Sequence, residues 1–326
     1  MTLPRLRVED VRGIYAIIPT PAKPGAESWQ AQDTVDTDEI VRVVDRLIRD
    51  GVNGILALGT LGECATVTWD EHQKVIAAIV EGARRRVPVI TGTTSLNTRD
   101  TIMKTRYARD VGADGVMNGA PMWCAPSEDT IVRYYQDLAE ACPDMAIVVY
   151  DNPQAFKFNL TPPIWARLAE IPQVVAAKFS LNLNGYLPIL KAVRGRIRIM
   201  PIDMQMYPSW RLAPEETVAC WSSSASCGPA PVLALCDALR RSDDAQAKAI
   251  HEDIVWACQT LLPGGNFEVF SMYNIPLEKI RMNEAGYVKA GPCRPPYFVI
   301  PEAFAEGARE AGRRWAQIAR KYAGRE

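Results

Sequence analysis

The chain has 326 residues, with 37 basic against 38 acidic side chains and a formal net charge of −1. That balance leaves no electrostatic footprint for nucleic acid or an anionic membrane, so the expected partner is a small molecule. No basic-then-apolar leader opens the sequence and no run of about 18 apolar residues interrupts it, which reads as a cytoplasmic protein.

In chain order, short apolar runs rich in β-branched residues alternate with amphipathic stretches. The predicted strands are GIYAIIPTP (13–21), GILALG (54–59), PVITGTT (88–94), GVMNGAPMW (115–123), AIVVYDN (146–152), VVAAKFS (174–180), IRIMPID (197–203) and TVACWSS (217–223). Helices are predicted over 37–50, 68–86, 98–112 and 127–142, several opening on Ser, Thr or Asp with an acidic residue following. Strands alternating with helices require parallel pairing, and eight such units predict an α/β fold, a (β/α)8 TIM barrel over 1–230. The helical sequence over 231–326 is read as a C-terminal extension packed on that barrel. A doubly wound open sheet is the alternative; no G-x-G-x-x-G follows the first strand and no P-loop motif occurs.

The eight cysteines are dispersed without a C-x-x-C pair, and the two histidines, His72 and His251, stand in charge-rich helical patterns read as surface positions. A metal site of the imidazole-rich kind is therefore not expected.

Barrel enzymes place their chemistry at the C-terminal ends of the strands. Here those ends carry Thr20, the turn Gly59-Thr60-Leu61-Gly62-Glu63, Thr93 and Thr94, Trp123, Tyr150 and Asn152, Lys178, Asp203, and Ser222 with Ser223. VVAAKFS is the most informative, because a lysine that ends an apolar strand is costly to bury as an ammonium. Lys178 is either a strand-end lysine snorkelling to solvent or paired with a carboxylate, or a desolvated amine able to attack a carbonyl. Tyr150 is either a satisfied core tyrosine or the proton carrier for such an amine, and Trp123 and Trp221 read by themselves as aromatic packing. In GTLGE, glycines flank a turn whose amides suit a carboxylate, which with Lys178 points to a small 2-oxo acid.

G-T-x-G-E after strand two, Y-x-N-P after strand five and a lysine after apolar strand six resemble, in order and spacing, the class I aldolases of the N-acetylneuraminate lyase and dihydrodipicolinate synthase group. The resemblance implies Schiff-base chemistry on pyruvate without any other cofactor, and a homotetramer. It makes Lys178 the Schiff-base residue and Tyr150 the proton shuttle, with Thr60 and the Leu61 amide holding the pyruvate carboxylate. The lysine-biosynthesis branch carries a second threonine, a tyrosine pair and an arginine where this chain has Leu61, Met122-Trp123 and Gln154-Ala155. A more apolar second substrate is expected.

The stretches GECATVTW, GAPMW, NPQAFKF, IPQVVAAK, CWSS, YNIPLEK and KAGPCRPPY look closer to the hydratase-aldolases of aromatic-hydrocarbon degradation. Those enzymes act on trans-o-hydroxybenzylidenepyruvate or its o-carboxy analogue, giving an aromatic aldehyde and pyruvate. By that similarity Trp123, Asn152 and Asn274 line the site. Another class I pyruvate lyase, or a barrel that binds a 2-oxo acid without catalysis, are the competing readings. For an ortho-carboxylate the candidate cations are Lys157, Arg211, Arg281 and Arg294, and segment 180–216 is where specificity is expected to lie.

Overall fold

A computed structural model describes residues 4–180 and 183–324 of the chain, so Leu181 and Asn182, inside the predicted specificity segment, lie outside the described residues. The strands are β1 Gly13–Ile17, β2 Gly54–Ala57, β3 Val89–Gly92, β4 Gly115–Asn118, β5 Ala146–Asp151, β6 Val174–Phe179, β7 Arg198–Met200 and β8 Ala219–Ser222. They form an eight-stranded sheet in the order β7-β6-β5-β4-β3-β2-β1-β8, the strand order of a (β/α)8 barrel. Each begins within two residues of its predicted start, and β1 ends early because Pro19 and Pro21 have no N–H to continue a ladder.

The helices that return the chain are α1 Thr37–Arg49, α2 Trp69–Ala83, α3 Thr98–Val111, α4 Glu128–Ala141, α5 Pro153–Phe156, α6 Pro162–Leu168, α7 Tyr186–Val193, α8 Asp203–Leu212 and α9 Ala230–Arg240. Beyond them come α10 Asp244–Cys258, α11 Phe267–Met272, α12 Asn274–Ala285 and α13 Glu302–Ala323. The first four start where their capping residues stop them: the side chains of Asp36, Thr68, Asn97 and Ser127 each accept an amide N–H of the first turn. α9 follows β8 in the chain after a short 3-10 helix over Ser224–Cys227.

His72 is a correction. It is buried on the inward face of α2 with Val75, Ile76 and Ile79, which follow it at i+3, i+4 and i+7, and packs 5.6 Å from the Trp69 ring. His251, on α10, is half-buried, and desolvation lowers its pKa. The charge-rich sequence around both hid a helical stripe that runs through them.

Contacts divide the chain into two compact units, one of Met1–Gly13 with Pro88–Trp221, the other of Ile14–Val87 with Ser222–Glu326. In the first, β3 to β7 pair in sequence order and all parallel, and a parallel bridge joins Ile202, just past β7, to Trp221 of β8. Its strands are buried nearly throughout, as continuous apolar runs in a two-sided parallel sheet require. In the second, β1 pairs parallel with β2, and Leu261, Phe270, Leu277, Ala308 and Ala311 form a core among the C-terminal helices.

Candidate active site

Strand register sets the centre of the first unit. Tyr150 on β5 pairs with Lys178 on β6, and directly paired residues of parallel strands project from the same face. Lys178 is 4% exposed, its Nζ 4.1 Å from the centroid of the Tyr150 ring and 3.6 Å from that of Trp221. Two π faces against one desolvated amine favour its cationic forms, ammonium or iminium, by about 2 kcal/mol or more per close contact. Trp221 is itself fixed, since its Nε1 donates to the Phe179 carbonyl oxygen at 2.9 Å.

Asn152 follows Tyr150 by two residues, and Pro153 occupies the first position of α5, where a missing N–H costs nothing. The Asn152 side chain serves both neighbours: Oδ1 accepts the Ala155 N–H at 3.3 Å, and Nδ2 donates to the Tyr150 hydroxyl oxygen at 3.1 Å. Phe156 ends the short helix and meets the Tyr150 ring edge-on at 5.2 Å. That contact needs Gly119: a Cβ there would lie 2.0 Å from the Phe156 ring.

Trp123 is not brought to this group. It stands 84% exposed on the loop between β4 and α4, and the tryptophan against Lys178 is Trp221, whose sequence context predicts only aromatic packing. A strand-eight tryptophan one residue before two serines was the available signal.

In the second unit, β2 runs into the turn that carries Thr60, half-buried, and Leu61, buried. Two features force the turn's path. Gly62 approaches the Leu58 backbone so closely that a Cβ would sit 2.5 Å from the Leu58 nitrogen, and Glu63 has a left-handed φ of 56°. Thr20 Oγ1 donates to the Gly62 carbonyl oxygen at 2.7 Å. The fully buried Glu63 carboxylate accepts from Lys279 Nζ at 2.8 Å, the Arg294 backbone N–H at 2.7 Å and Arg294 Nη1 at 2.5 Å. Burial lowers the Lys279 pKa, and Glu63 opposes that shift. The strand-two motif is thus tied to α12 and to the 289–297 segment.

Asn274 opens α12 half-buried, and its Oδ1 accepts no hydrogen bond among the described residues. Of the four candidate cations, Arg294 is committed to Glu63, Thr34 and backbone carbonyls, and Arg281 to Glu278, Ser223 and Ser224. Both are buried, which leaves exposed Lys157 and Arg211. Among the described residues no group of three or more His, Cys, Asp or Glu side chains is placed to hold a metal, and no helix is long and apolar enough to cross a membrane.

The profile of the dihydrodipicolinate synthetase family matches residues 22–309. The chain belongs to that family. Within it, the chain is 50% identical over 98% of its length to a trans-O-hydroxybenzylidenepyruvate hydratase-aldolase of Sphingobium xenophagum, covering 98% of that protein. It is 41% identical over 99% of its length to a trans-2'-carboxybenzalpyruvate hydratase-aldolase of Nocardioides sp. strain KP7, covering 98% of it. Among solved structures, PhdJ bound to a substrate intermediate superposes with a TM-score of 0.96 at 44% identity, with 98% of this chain and 100% of that chain covered.

Proposed function

We propose that this protein is a Schiff-base hydratase-aldolase that cleaves a trans-o-substituted benzylidenepyruvate, hydroxy or carboxy, to an aromatic aldehyde and pyruvate in polycyclic aromatic hydrocarbon degradation. The observation that carries the reading is the Lys178 amine, buried at a strand end between the Tyr150 and Trp221 rings. Its relatives of similar length bear the corresponding names. The family resemblance supports a covalent intermediate as the sole prosthetic chemistry, a homotetramer and a cytoplasmic setting.

Lys178 attacks C2 of the 2-oxo acid, and loss of water from the carbinolamine leaves an iminium conjugated through C3=C4 to the arene. Water adds at C4, which the iminium makes electrophilic. Tyr150 then takes the C4 hydroxyl proton, the C3–C4 bond breaks, and its electron pair enters the iminium to give an enamine and a free aldehyde. Protonation at C3 and hydrolysis release pyruvate and the amine. By the resemblance, Thr60 and the Leu61 amide hold the carboxylate, while Asn152, Trp123 and Asn274 act on the aryl-bearing half. The hydrogen bond from Asn152 to the Tyr150 oxygen supports the first of these.

Borohydride reduction in the presence of pyruvate should add one pyruvate-derived mass to the peptide bearing Lys178, and benzylidenepyruvate absorbance should fall as aldehyde appears. A label on another lysine, or none, would overturn the Schiff-base assignment. Labelling without aldehyde release would make the protein a 2-oxo acid binder.

A further inference from the structure

Beside Tyr150, on the opposite face of β5, stands an acid to which the chemistry above gives no part. Asp151 is 1% exposed, and neither carboxylate oxygen accepts a hydrogen bond among the described residues. Register fixes where it points. Tyr150 pairs with Lys178 and Asp151 with Phe179, so Asp151 shares its face with Val149 and with Asn118, the partner of Val149 on β4.

That face is turned to the helices: Asn118 Nδ2 donates to Thr93 Oγ1 at 2.9 Å, and Thr93 Oγ1 lies 3.0 Å from the Thr105 hydroxyl of α3. The Tyr135 hydroxyl of α4, which feels the charge of Asp151, spends its proton on the Asn118 carbonyl oxygen at 2.7 Å. Among the described residues Asn118 Oδ1 accepts nothing either. Three buried acceptor oxygens therefore stand on one face without a donor among the described residues, where a carboxylate normally finds two or three.

A proton on Asp151 would remove the unmet negative charge from that face. Burial raises the Asp151 carboxyl to about 7, and the charge that pulls it back down is Lys178. The acid thus stands ready to be neutral beside a neutral amine and ionised beside a cationic nitrogen.

We propose that Asp151 is a positioning residue for the Schiff base, acting through Lys178 by supplying a carboxylate counter-charge to the iminium from behind the strand. The inference rests on Lys178 being the Schiff-base residue. The charges balance. The Lys178 amine forms the N–C2 bond, and the carbinolamine hydroxyl takes up one proton and leaves as water while the nitrogen lone pair forms the C=N bond. Asp151 releases one proton in the same equilibrium, so a neutral amine and a neutral acid become an iminium and a carboxylate with no net change. The aromatic rings of Tyr150 and Trp221 favour the cation by their quadrupoles, and Asp151 adds a full charge whose ionisation the cation in turn promotes.

The test is borohydride trapping of pyruvate on Asp151→Asn against the wild type, across pH. At about pH 8.5 the pyruvate concentration for half-maximal trapping should rise about tenfold in the variant, and the two curves should converge by about pH 6, where the carboxyl is neutral in the wild type. Equal concentrations at both pH values, or a penalty that does not change with pH, would overturn the proposal. Absence of trapping in the wild type would instead remove the Schiff-base reading on which it rests. Should the variant not fold, infrared difference spectra of the wild type at about pH 7.5 decide, where the carboxyl still holds part of its proton until the cationic nitrogen forms. Addition of pyruvate should remove a protonated-carboxyl stretch, and an unchanged carboxyl region would overturn the assignment.

Discussion

Asp151 makes the folded protein less stable at the pH where it is useful. Its carboxyl titrates near 7 in the fold against 3.8 in an unfolded chain, so between those values the native state holds a proton the unfolded state has lost. Stability then falls as pH rises from about 4 to 7 and stays low above it, with no contribution where both states are protonated. The difference is at most about 4 kcal/mol. Asp151→Asn keeps the size and removes the titration. In urea denaturation the variant should match the wild type near pH 4 and exceed it above about pH 7; a gap that does not widen with pH would contradict a carboxyl buried at such cost. Lys178 and Tyr150 were legible because a polar group ending an apolar strand stands out in the sequence. Trp221 and Asp151 were not. A tryptophan in a strand reads as packing, and which face an acid takes depends on register with the neighbouring strand, which no local pattern records.

At the scale of elements, helix starts were legible from capping residues that act within three positions, whereas the tie between β2 and the C-terminal segment was not. GTLGE, YNIPLEK and KAGPCRPPY are each visible in the sequence, but Glu63, Lys279 and Arg294 meet only in three dimensions. The acid carries no apolar cushion: it is fully buried and satisfied by two cations and a backbone N–H. Removing Arg294 breaks a buried ion pair and strips both Glu63 and Thr34 of a donor, which costs about 3–5 kcal/mol. Arg294→Met should therefore lower the denaturation midpoint markedly, while Lys23→Met, which deletes the exposed pair with Asp33, should leave it in place. An unmoved midpoint for Arg294→Met would show that the network holds the β2 turn without stabilising the fold. This role also explains why Arg294 is unavailable to a substrate.

For the molecule as a whole, the fold followed from eight alternating strands and helices, because parallel pairing with short crossovers leaves few ways to arrange them. The preferred ortho substituent does not follow from that arrangement, since relatives named for hydroxy and for carboxy substrates resemble this chain end to end. The choice must fall to a few side chains. With Arg281 and Arg294 held in buried networks, Lys157 is the better placed of the two remaining cations. It caps α5 in a left-handed conformation, one residue past the Phe156 ring that touches Tyr150. A phenol needs no cation, but an ortho-carboxylate gains a charge-assisted hydrogen bond of about 1.5 kcal/mol from one, or roughly tenfold in rate. Lys157→Met should accordingly reduce kcat/KM about tenfold on the o-carboxy substrate and leave the o-hydroxy substrate within about twofold. An equal loss on both would assign Lys157 to the shared pyruvate half or to folding, and a selective loss in Arg211→Met alone would move the carboxylate contact to α8.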